Sequence, residues 1–466
     1  MKIRTWCLAC MLSFFSSFGH ADFDQAVTLY ESGDFEKAKI AFEILADIGD
    51  RSSLFNLGVM YFRGEAVEQN PAKAYVMMKI ANETEDKAFS DIVNLVYNQL
   101  TESQLDSVQG LSLELGDKYG LDGIESRIFP KPLRDEDCIP PIRPLKQGKA
   151  VYPRWAQTRG MHGLVHIEMT ISPEGYPRDL IVSGSSDMVF VKPTLNAAIK
   201  TIFPALPSGK PVYGHRYVYT YKMAGNPKID RKTEISISSQ LRALRESSLK
   251  GDPVAQYNYA LDLNAFRLFK SFLGEMDLEY RTANKWLLES ARKGLPNAQF
   301  DLGRNMLIGR GCEIDKENGY KWISAAAISG FSPAQNLMAQ TVLNDFDEGF
   351  KRTEATITWL ENAVLDNNFS SAVLLAWELS TSSYPEFRDG QRALKLLKQD
   401  TGNYYDNLRI LETKAAANAA IGNFKKAVKF QKQAVKLAKI NEWQILAMNK
   451  RLESYESDEV FEGPYY

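Results

Sequence analysis

The sequence predicts a multidomain, mainly α-helical protein in which an α-solenoid of helix–turn–helix repeats is interrupted by a small α+β domain. Three observations predict this fold class. Trp and Ala positions recur about every 36 residues in the second half of the chain. Prolines crowd residues 129–147, and the apolar period then changes from that of a helix to the alternation of a strand. The small domain therefore lies between two helical blocks.

The composition is globular, without a strong charge of either sign. The chain has 466 residues, enough for about three domains, and 56 basic against 58 acidic side chains. A protein whose main partner is a nucleic acid usually carries a basic excess, so we do not expect that class. The chain has 4 Cys and 4 His, too few for a cysteine-stapled scaffold or a multi-zinc protein.

Residues 1–21 have the layout of a secretory signal peptide. Lys2 and Arg4 give a positive start, Trp6 to Phe18 is an uncharged apolar run, and small residues end the segment at Ala21. The run is shorter than the about 20 residues that span a bilayer. We therefore expect a cleaved leader and no later membrane span. The alternative is an uncleaved leader that anchors the chain in the inner membrane.

Residues 241–380 are predicted to form helix–turn–helix repeats, because small and aromatic residues recur in register in successive copies. The matched positions are Trp286, Ala291, Gly294 and Ala298 in one copy and Trp322, Ala327, Gly330 and Ala334 in the next. A period in the mid-thirties is that of one such unit. Ala and Gly let the paired helices approach closely, and Trp fills the groove between units.

A turn pattern is shared by the two helical blocks. Leu57-Gly58, Tyr61 and Gly64 correspond to Leu302-Gly303, Met306 and Gly309, and Asn70, Lys73 and Ala74 correspond to Asp315, Asn318 and Gly319. With the tryptophans, this pattern resembles the Sel-one-like repeat, a relative of the tetratricopeptide repeat. Ala66 stands where that family has glycine, and Cys312 where it has valine. The resemblance implies stacked helix pairs.

Tetratricopeptide-like units are predicted near both ends, within residues 22–128 and residues 381–456. Gly33-x-Phe35-x-x-Ala38 matches Gly422-x-Phe424-x-x-Ala427, where the glycine ends one helix at a tight corner and the aromatic ring packs between the pair. Such units bind extended peptides or partner helices on a concave face, or serve as spacers. We expect residues 457–466 to be a loose, solvated tail, with a partner-binding tail as the alternative.

The middle domain, residues 148–225, is predicted to have the order β-β-α-β. It follows a proline-rich linker, residues 129–147, and precedes a second linker, residues 226–240. The helix is predicted from Asp187 to Ile202 and the last strand from Val212 to Met223. The residues predicted to face the core are Val165, Ile167, Met169 and Ile171 on the first strand, and Tyr217, Tyr219 and Tyr221 share one face of the last.

Turn, glycine and aromatic motifs run through this domain in a specific order. They are Tyr152-Pro153-x-x-Ala156, Gly160 and Gly163, Pro173-Glu174-Gly175, Val182-Ser183, Phe203-Pro204 and Gly209-x-Pro211-Val212. The order resembles the C-terminal domain of TonB-family proteins. The resemblance implies a location in the Gram-negative periplasm. It also implies that the domain grips an extended segment of an outer-membrane transporter by strand addition, since an edge strand offers N–H and C=O groups to a visiting peptide.

The resemblance also implies eight peptide-binding residues. By position they are Lys149, Ala150, Val151, Tyr152, Arg216, Val218, Thr220 and Lys222. For Tyr152, packing that pins the start of the domain is an equal alternative. The chain departs from a TonB energy transducer, because its leader resembles a cleavable one and its proline-rich stretch, at about 3.1 Å per residue, cannot cross a periplasm. Helical repeats also follow the domain.

The sequence shows no pattern typical of an active site. His162 and His166 lie about 13 Å apart if extended, too far to share a metal, and with His215 they are predicted to face solvent. A phosphate loop and a nucleophile elbow are absent. Cys138 and Cys312 are predicted to lie in different domains, either as a disulfide or as two buried thiols. We therefore predict no enzyme activity, metal or cofactor.

The leading hypothesis is a periplasmic scaffold without catalytic activity. Its helical repeats bind partner proteins and its TonB-C-like domain binds an extended peptide. The second hypothesis is a TonB-like energy-transduction adaptor for outer-membrane transport, and the third is a degenerate hydrolase. The sequence leaves open the partner, the oligomeric state, the pairing of the cysteines and the organism.

Overall fold

A computed structural model gives the architecture of most of the chain. It describes residues 21–83, 87–138, 142–161, 163–221, 231–267, 277–345, 350–366, 368–398 and 406–465. The predicted signal peptide lies outside the described residues except for Ala21. The chain divides into two compact units, a first unit of Met1–Ile139 and Ile229–Ala334 and a second unit of Pro140–Lys228 and Gln335–Tyr466.

The described residues are mainly helical, with one small sheet. The helices are α1 Ala21–Glu31, α2 Phe35–Asp47, α3 Arg51–Arg63, α4 Pro71–Ala81, α5 Lys87–Tyr97, α6 Glu102–Tyr119, α7 Leu121–Ile128, α8 Arg154–Thr158, α9 Val191–Ala198, α10 Arg231–Leu249, α11 Pro253–Phe266, α12 Tyr280–Ala291, α13 Pro296–Ile308, α14 Lys316–Ile328, α15 Ser332–Asp345, α16 Phe350–Leu365, α17 Phe369–Thr381, α18 Gly390–Leu396, α19 Asn407–Ala420, α20 Phe424–Ile440 and α21 Leu446–Glu456. The strands are β1 Gly163–Ile171, β2 Pro177–Ser185 and β3 Val212–Tyr221.

The turn pattern shared by the two helical blocks forms equivalent structures, as the sequence predicts. α3 ends at Gly64 and α13 at Gly309, both in the left-handed region with φ of 73° and 68°. After each turn the chain bonds back to the helix, from Asn70 N to Tyr61 O at 2.8 Å and from Asp315 N to Met306 O at 3.0 Å. Asn70 and Asp315 then cap α4 and α14. The Sel-one-like correspondence is therefore confirmed in backbone geometry.

The first unit has one hydrophobic core that both sequence blocks share. α1 and α2 pack against α14. The indole of Trp322, fully buried, donates to the carbonyl of Ile128 at 3.4 Å, and Asn318 Nδ2 donates to the carbonyl of Arg127 at 2.7 Å. Part of the proline-rich segment also pairs with the second block, since Leu133 N donates to Gly311 O at 3.1 Å. Trp322 thus joins segments far apart in sequence.

The close contact between α13 and α14 at Gly303 leads to a testable prediction. A Cβ added there would lie 2.5 Å from the carbonyl oxygen of Gly319 and 2.8 Å from a side-chain carbon of Ile323. We expect Gly303→Ala to destabilise the first unit by about 1–3 kcal/mol, because α13 and α14 must separate. At Gly110, exposed on α6, an added Cβ meets nothing within 4 Å. Gly110→Ala should stabilise by up to about 1 kcal/mol. Thermal and urea unfolding test both, and equal effects would contradict the account.

The second unit contains the sheet and the helices that follow α15. The sheet is antiparallel with the order β2-β1-β3. Val165, Ile167, Met169 and Ile171 are almost fully buried, and Tyr219 and Tyr221 are 3% exposed, so the predicted faces are confirmed. The helix differs from the prediction of Asp187 to Ile202. A short 3-10 turn, Met188–Phe190, is capped by Asp187 and precedes α9, which ends at Ala198. Met223 lies outside the described residues.

The segment after α21 is ordered, so the expectation of a loose, solvated tail is wrong. Tyr465 is 6% exposed. Gly463 N donates to Thr381 O at 3.1 Å, and the indole of Trp377 donates to Gly463 O at 3.3 Å. Phe461 and Tyr465 of this segment are therefore packing residues of the second unit.

No helix among the residues described is both long enough and apolar enough to cross a membrane.

Candidate functional site

The candidate site is the edge strand β3 of the sheet in the second unit. β3 pairs with β1 on one side, with Val218 opposite His166 and Thr220 opposite Leu164. It is the last strand in the order β2-β1-β3 of the described sheet. Alternate residues of an edge strand direct their N–H and C=O groups away from the paired strand. β3 is therefore one of the two edge strands of the described sheet.

The inner face of β3 packs on α9 and on the segment before α8. The hydroxyl of Tyr219 bonds to Thr201 Oγ1 and that of Tyr221 to Thr194 Oγ1, both at 2.8 Å. Burial raises the pKa of Tyr219 to about 12, so its hydroxyl stays protonated. The ring of Tyr152 lies edge-on to that of Tyr221, 5.5 Å between centroids. These contacts fix the twist and position of β3.

The outer face of β3 carries the other alternate residues. Arg216 Nε lies 3.4 Å from Glu168 Oε2 of β1, and both side chains are partly exposed. Burial, together with the neighbouring charge of Arg216, lowers the pKa of His166, so this imidazole is neutral at pH 7. Thr220 is exposed near the end of the strand. This face is polar and partly open.

The structure places seven of the eight predicted residues, in two groups. Lys149 and Val151 are exposed in the segment before α8, Val151 by 76%. Tyr152 is a packing residue, since its ring also meets Phe190 and its hydroxyl donates to Met161 O. Ala150 packs partly against the domain core. Arg216, Val218 and Thr220 lie along β3, and Lys222 lies outside the described residues.

The opposite edge of the sheet, β2, is held by the helices of the second unit. Asp406, which caps α19, accepts from the Asp179 backbone N–H at 3.0 Å and from Arg178 Nε at 2.8 Å. The ring of Tyr176, just before β2, stacks on Trp443 with centroids 5.2 Å apart. A backbone donor of β2 is thus already used by a buried carboxylate. The two edge strands therefore differ, because β2 is anchored by a buried carboxylate and β3 carries the exposed Thr220.

A buried cluster of charged groups makes this anchor. Arg178, Asp406, Glu412 and Arg451 have side chains that are at most 6% exposed. Arg451 donates to Glu412 Oε1 at 2.6 Å and to Tyr465 O at 2.7 Å. The hydroxyl of Tyr465 donates to Glu412 and accepts from Arg178. The cluster joins β2, α19, α21 and the segment after α21. No pattern in the sequence predicts this cluster, because a single arginine on a strand gives no signal of partners 228 and 287 residues away.

The cluster sets the charge state of its carboxyl groups. Burial alone would raise the pKa of Asp406 and Glu412, but Arg178 and Arg451 outweigh it and hold both pKa values below the usual range. Both groups therefore bind protons more weakly in the folded state than in the unfolded state. Their contribution to stability is complete above the ordinary values of 3.8 and 4.5 and is lost as the pH falls below them.

Acid should therefore destabilise the second unit by protonating the carboxylates of Asp406 and Glu412. We expect the wild-type free energy of unfolding to fall as the pH is lowered below about 4.5, and to fall less steeply in Asp406→Asn, which lacks one of the two groups. Urea unfolding of both proteins at each pH measures the difference. Equal losses in the two proteins would contradict the assignment.

The remaining predicted features are placed as follows. His166 lies on the outer face and is half-buried, whereas the ring of His215 meets that of Phe203 at 5.2 Å on the inner side of the sheet, so the expectation that it faces solvent is wrong for His215. His162 lies outside the described residues. No group of three or more His, Cys, Asp or Glu that could hold a metal is found in the described part of the chain.

The two cysteines lie in the same compact unit, contrary to expectation. Cys138 Sγ accepts from Gly311 N at 3.2 Å, next to Cys312. Both are thiols in this structure. Burial raises the pKa of Cys312 to about 12, so this group is an unreactive thiol in the folded protein.

The fold and this edge define a helical-repeat protein that contains a small sheet module. Residues 149–221 match the family described as Gram-negative bacterial TonB protein C-terminal. Residues 51–83, 253–295 and 296–331 match the Sel1 repeat. The chain thus combines a TonB C-terminal domain with Sel1 repeats, as the sequence predicts. Sel1 repeats indicate a protein-interaction scaffold with protein partners, and scaffolds of this kind are generally non-catalytic.

Individual proteins are similar over different parts of the chain. The chitin synthase regulator SKT5 of Saccharomyces cerevisiae is 34% identical over 103 residues, which are 22% of this chain and only 14% of that protein. A Sel1 repeat protein from Oxalobacter formigenes is 17% identical with a TM-score of 0.33, covering 44% of this chain and 85% of its own. A protective antigen of uropathogenic Escherichia coli with an SLR fold is 16% identical with a TM-score of 0.34, covering 95% and 84%.

Proposed function

We propose that this protein is a periplasmic scaffold that holds partner proteins on its helical repeats and captures an extended peptide at β3. The observation that carries the proposal is the difference between the two sheet edges. β2 gives the Asp179 N–H to Asp406 and is anchored among helices, whereas β3, the other edge strand, carries the partly exposed Val218 and the exposed Thr220. A peptide added beside β3 gains main-chain hydrogen bonds, and alternate side chains give specificity.

The position of β3 also supports the proposal. Its inner tyrosines are held by Thr194 and Thr201, so the strand is fixed before a peptide arrives. A preorganised edge costs less ordering entropy on binding than a mobile one. Val151, with 76% exposure, is the most open apolar side chain of the segment before α8 and offers a contact for the same peptide.

Photo-cross-linking in cells tests peptide capture at this edge. A photoreactive amino acid placed at Thr220, or at Val151, should give a discrete cross-linked product whose partner segment mass spectrometry identifies. A matched probe at Leu365, an 83% exposed residue of the same unit, should not give this product. The same product from all three positions, or none from Thr220 and Val151, would overturn the proposal.

A role as an adaptor for outer-membrane transport is the second candidate. The match of residues 149–221 to the TonB C-terminal family favours it, and the partner would then be an extended segment of an outer-membrane transporter. Energy transduction requires attachment to the inner membrane, whereas a scaffold requires only export. Fractionation of cells, followed by N-terminal sequencing of the protein, distinguishes the two candidate functions. A periplasmic chain that begins at Asp22 supports the scaffold, and a membrane-bound chain that retains Lys2 supports the adaptor.

A further inference from the structure

A basic groove lies between α18, α19 and α20 of the second unit. Its cavity volume is about 1180 Å³. α18 lies close against α19, because a Cβ added at Gly390 would be 2.8 Å from the carbonyl oxygen of Ala417. Two of the helices that bound the groove, α18 and α19, are therefore closely packed against each other. Neither β3 nor the charged cluster lines it.

The side chains along the groove combine an apolar strip with positive charge. The apolar members are Leu394, Leu397 and Phe430. The basic members are Arg392, Lys395, Lys398, Lys414 and Lys426. Asp389 is the acidic residue of the lining, and its carboxylate caps α18 by accepting from Arg392 N at 2.8 Å. The lining thus offers several cations and one carboxylate that is already engaged.

Most of these cations have no acidic partner within the part of the chain that the structure describes. Arg392 pairs with Glu361 at 2.7 Å. No ion pair is found for Lys395, Lys398, Lys414 or Lys426 among the residues that the structure describes. Residues 390–440 contain eleven Lys and Arg against three Asp and Glu. Two of those acids, Asp406 and Glu412, are buried with Arg178 and Arg451 in the charged cluster, and one of the bases, Arg409, is buried as well. The surface here is strongly basic in a chain whose total charge is nearly balanced.

We propose that this groove binds an acidic segment of a partner protein that carries bulky apolar side chains. Carboxylates of the segment pair with the four lysines, and its apolar side chains cover Leu394 and Phe430. Charge complementarity selects the partner and speeds its association, and burial of the apolar strip adds affinity. The inference rests on the proposed scaffold function. It names the chemistry of one partner that the helices of this protein bind.

An acidic protein segment matches the lining of this groove better than a membrane surface or a nucleic acid does. A membrane surface meets exposed lysines but does not reach apolar side chains between helices, and a nucleic acid contributes phosphate charge without aliphatic side chains. The apolar strip next to the lysines therefore favours a segment that alternates Glu with Leu or Phe.

The test uses the full mature chain and fluorescently labelled probes in anisotropy titrations. The probes are a Glu/Leu peptide, the same peptide with Lys for Glu, polyglutamate, a single-stranded oligonucleotide, and vesicles containing phosphatidylglycerol. We expect the Glu/Leu peptide to bind with marked salt dependence, and polyglutamate at least about tenfold more weakly. The Lys/Leu peptide should not bind.

Two charge-matched triple variants locate the site. Lys395→Glu, Lys414→Glu and Lys426→Glu together should weaken the Glu/Leu peptide at least about tenfold. Lys436→Glu, Lys439→Glu and Lys450→Glu change the same charge at exposed positions outside the groove, and should change affinity less than about twofold. Circular dichroism melts establish that both fold. Equal losses in both variants, or binding only of oligonucleotide or vesicles, would overturn the proposal. Because the assay does not involve β3, its failure is distinct from failure of cross-linking at Thr220.

Discussion

Replacing Arg178 by alanine should destabilise the second unit by about 3–5 kcal/mol, because it leaves a buried carboxylate without its cation. Arg178 is 4% exposed and donates to Asp406, whose side chain is fully buried. It also lies 3.8 Å from Glu412. Loss of the guanidinium therefore affects two negative charges at once. β2 should then lose its attachment to α19, so the effect is expected to include faster amide exchange in β2.

A surface pair of the same unit provides the control. Lys432 lies 2.8 Å from Glu456, but both side chains are about half-exposed. Lys432→Ala should cost less than about 1 kcal/mol, because water already solvates both charges. Urea unfolding gives the free energies. If Arg178→Ala and Lys432→Ala cost the same, the buried cluster does not anchor the sheet.

Removing the side chain of Tyr465 should destabilise the second unit by a similar amount. Tyr465→Ala empties an aromatic position beside Trp377, with ring centroids 4.8 Å apart, and is expected to cost about 3–5 kcal/mol. Tyr465→Phe keeps the ring but removes the hydroxyl that Glu412 and Arg178 share. It should cost about 1–3 kcal/mol, because buried polar groups lose a partner.

The control lies in the same segment. Glu459 is exposed, so Glu459→Ala should change stability by less than about 0.5 kcal/mol. Thermal and urea unfolding measure all three variants. A Tyr465→Ala protein as stable as Glu459→Ala would show that this segment does not hold the second unit together.

Local patterns in the sequence predicted the repeats and the sheet module well. Gly64, Gly309 and the capping residues Asn70 and Asp315 act within their own turn, so their spacing is enough to place the helices. The alternation of β1 is likewise local, and its register follows from one buried face. The end of α9 was harder to place, because apolar residues continue past Ala198 in a turn that bonds back to the helix.

Contacts between residues far apart in the chain could not be predicted from the sequence. Tyr465 was expected in a solvated tail because its partners, Arg178 and Glu412, lie far away in the chain and no local period marks them. Of the candidate site, the sequence placed β3 and its inner tyrosines correctly. It did not show that β2 is anchored by Asp406, the contact that distinguishes the two edges.

Amide hydrogen exchange across the sheet, with and without the partner peptide identified by cross-linking at Thr220, tests the central claim most directly. We expect slower exchange in Val212–Tyr221 when the peptide is bound, with little change in Pro177–Ser185, because the added strand forms main-chain hydrogen bonds beside β3. Protection of Pro177–Ser185 instead, or protection confined to the helical repeats, would contradict capture of the peptide at β3.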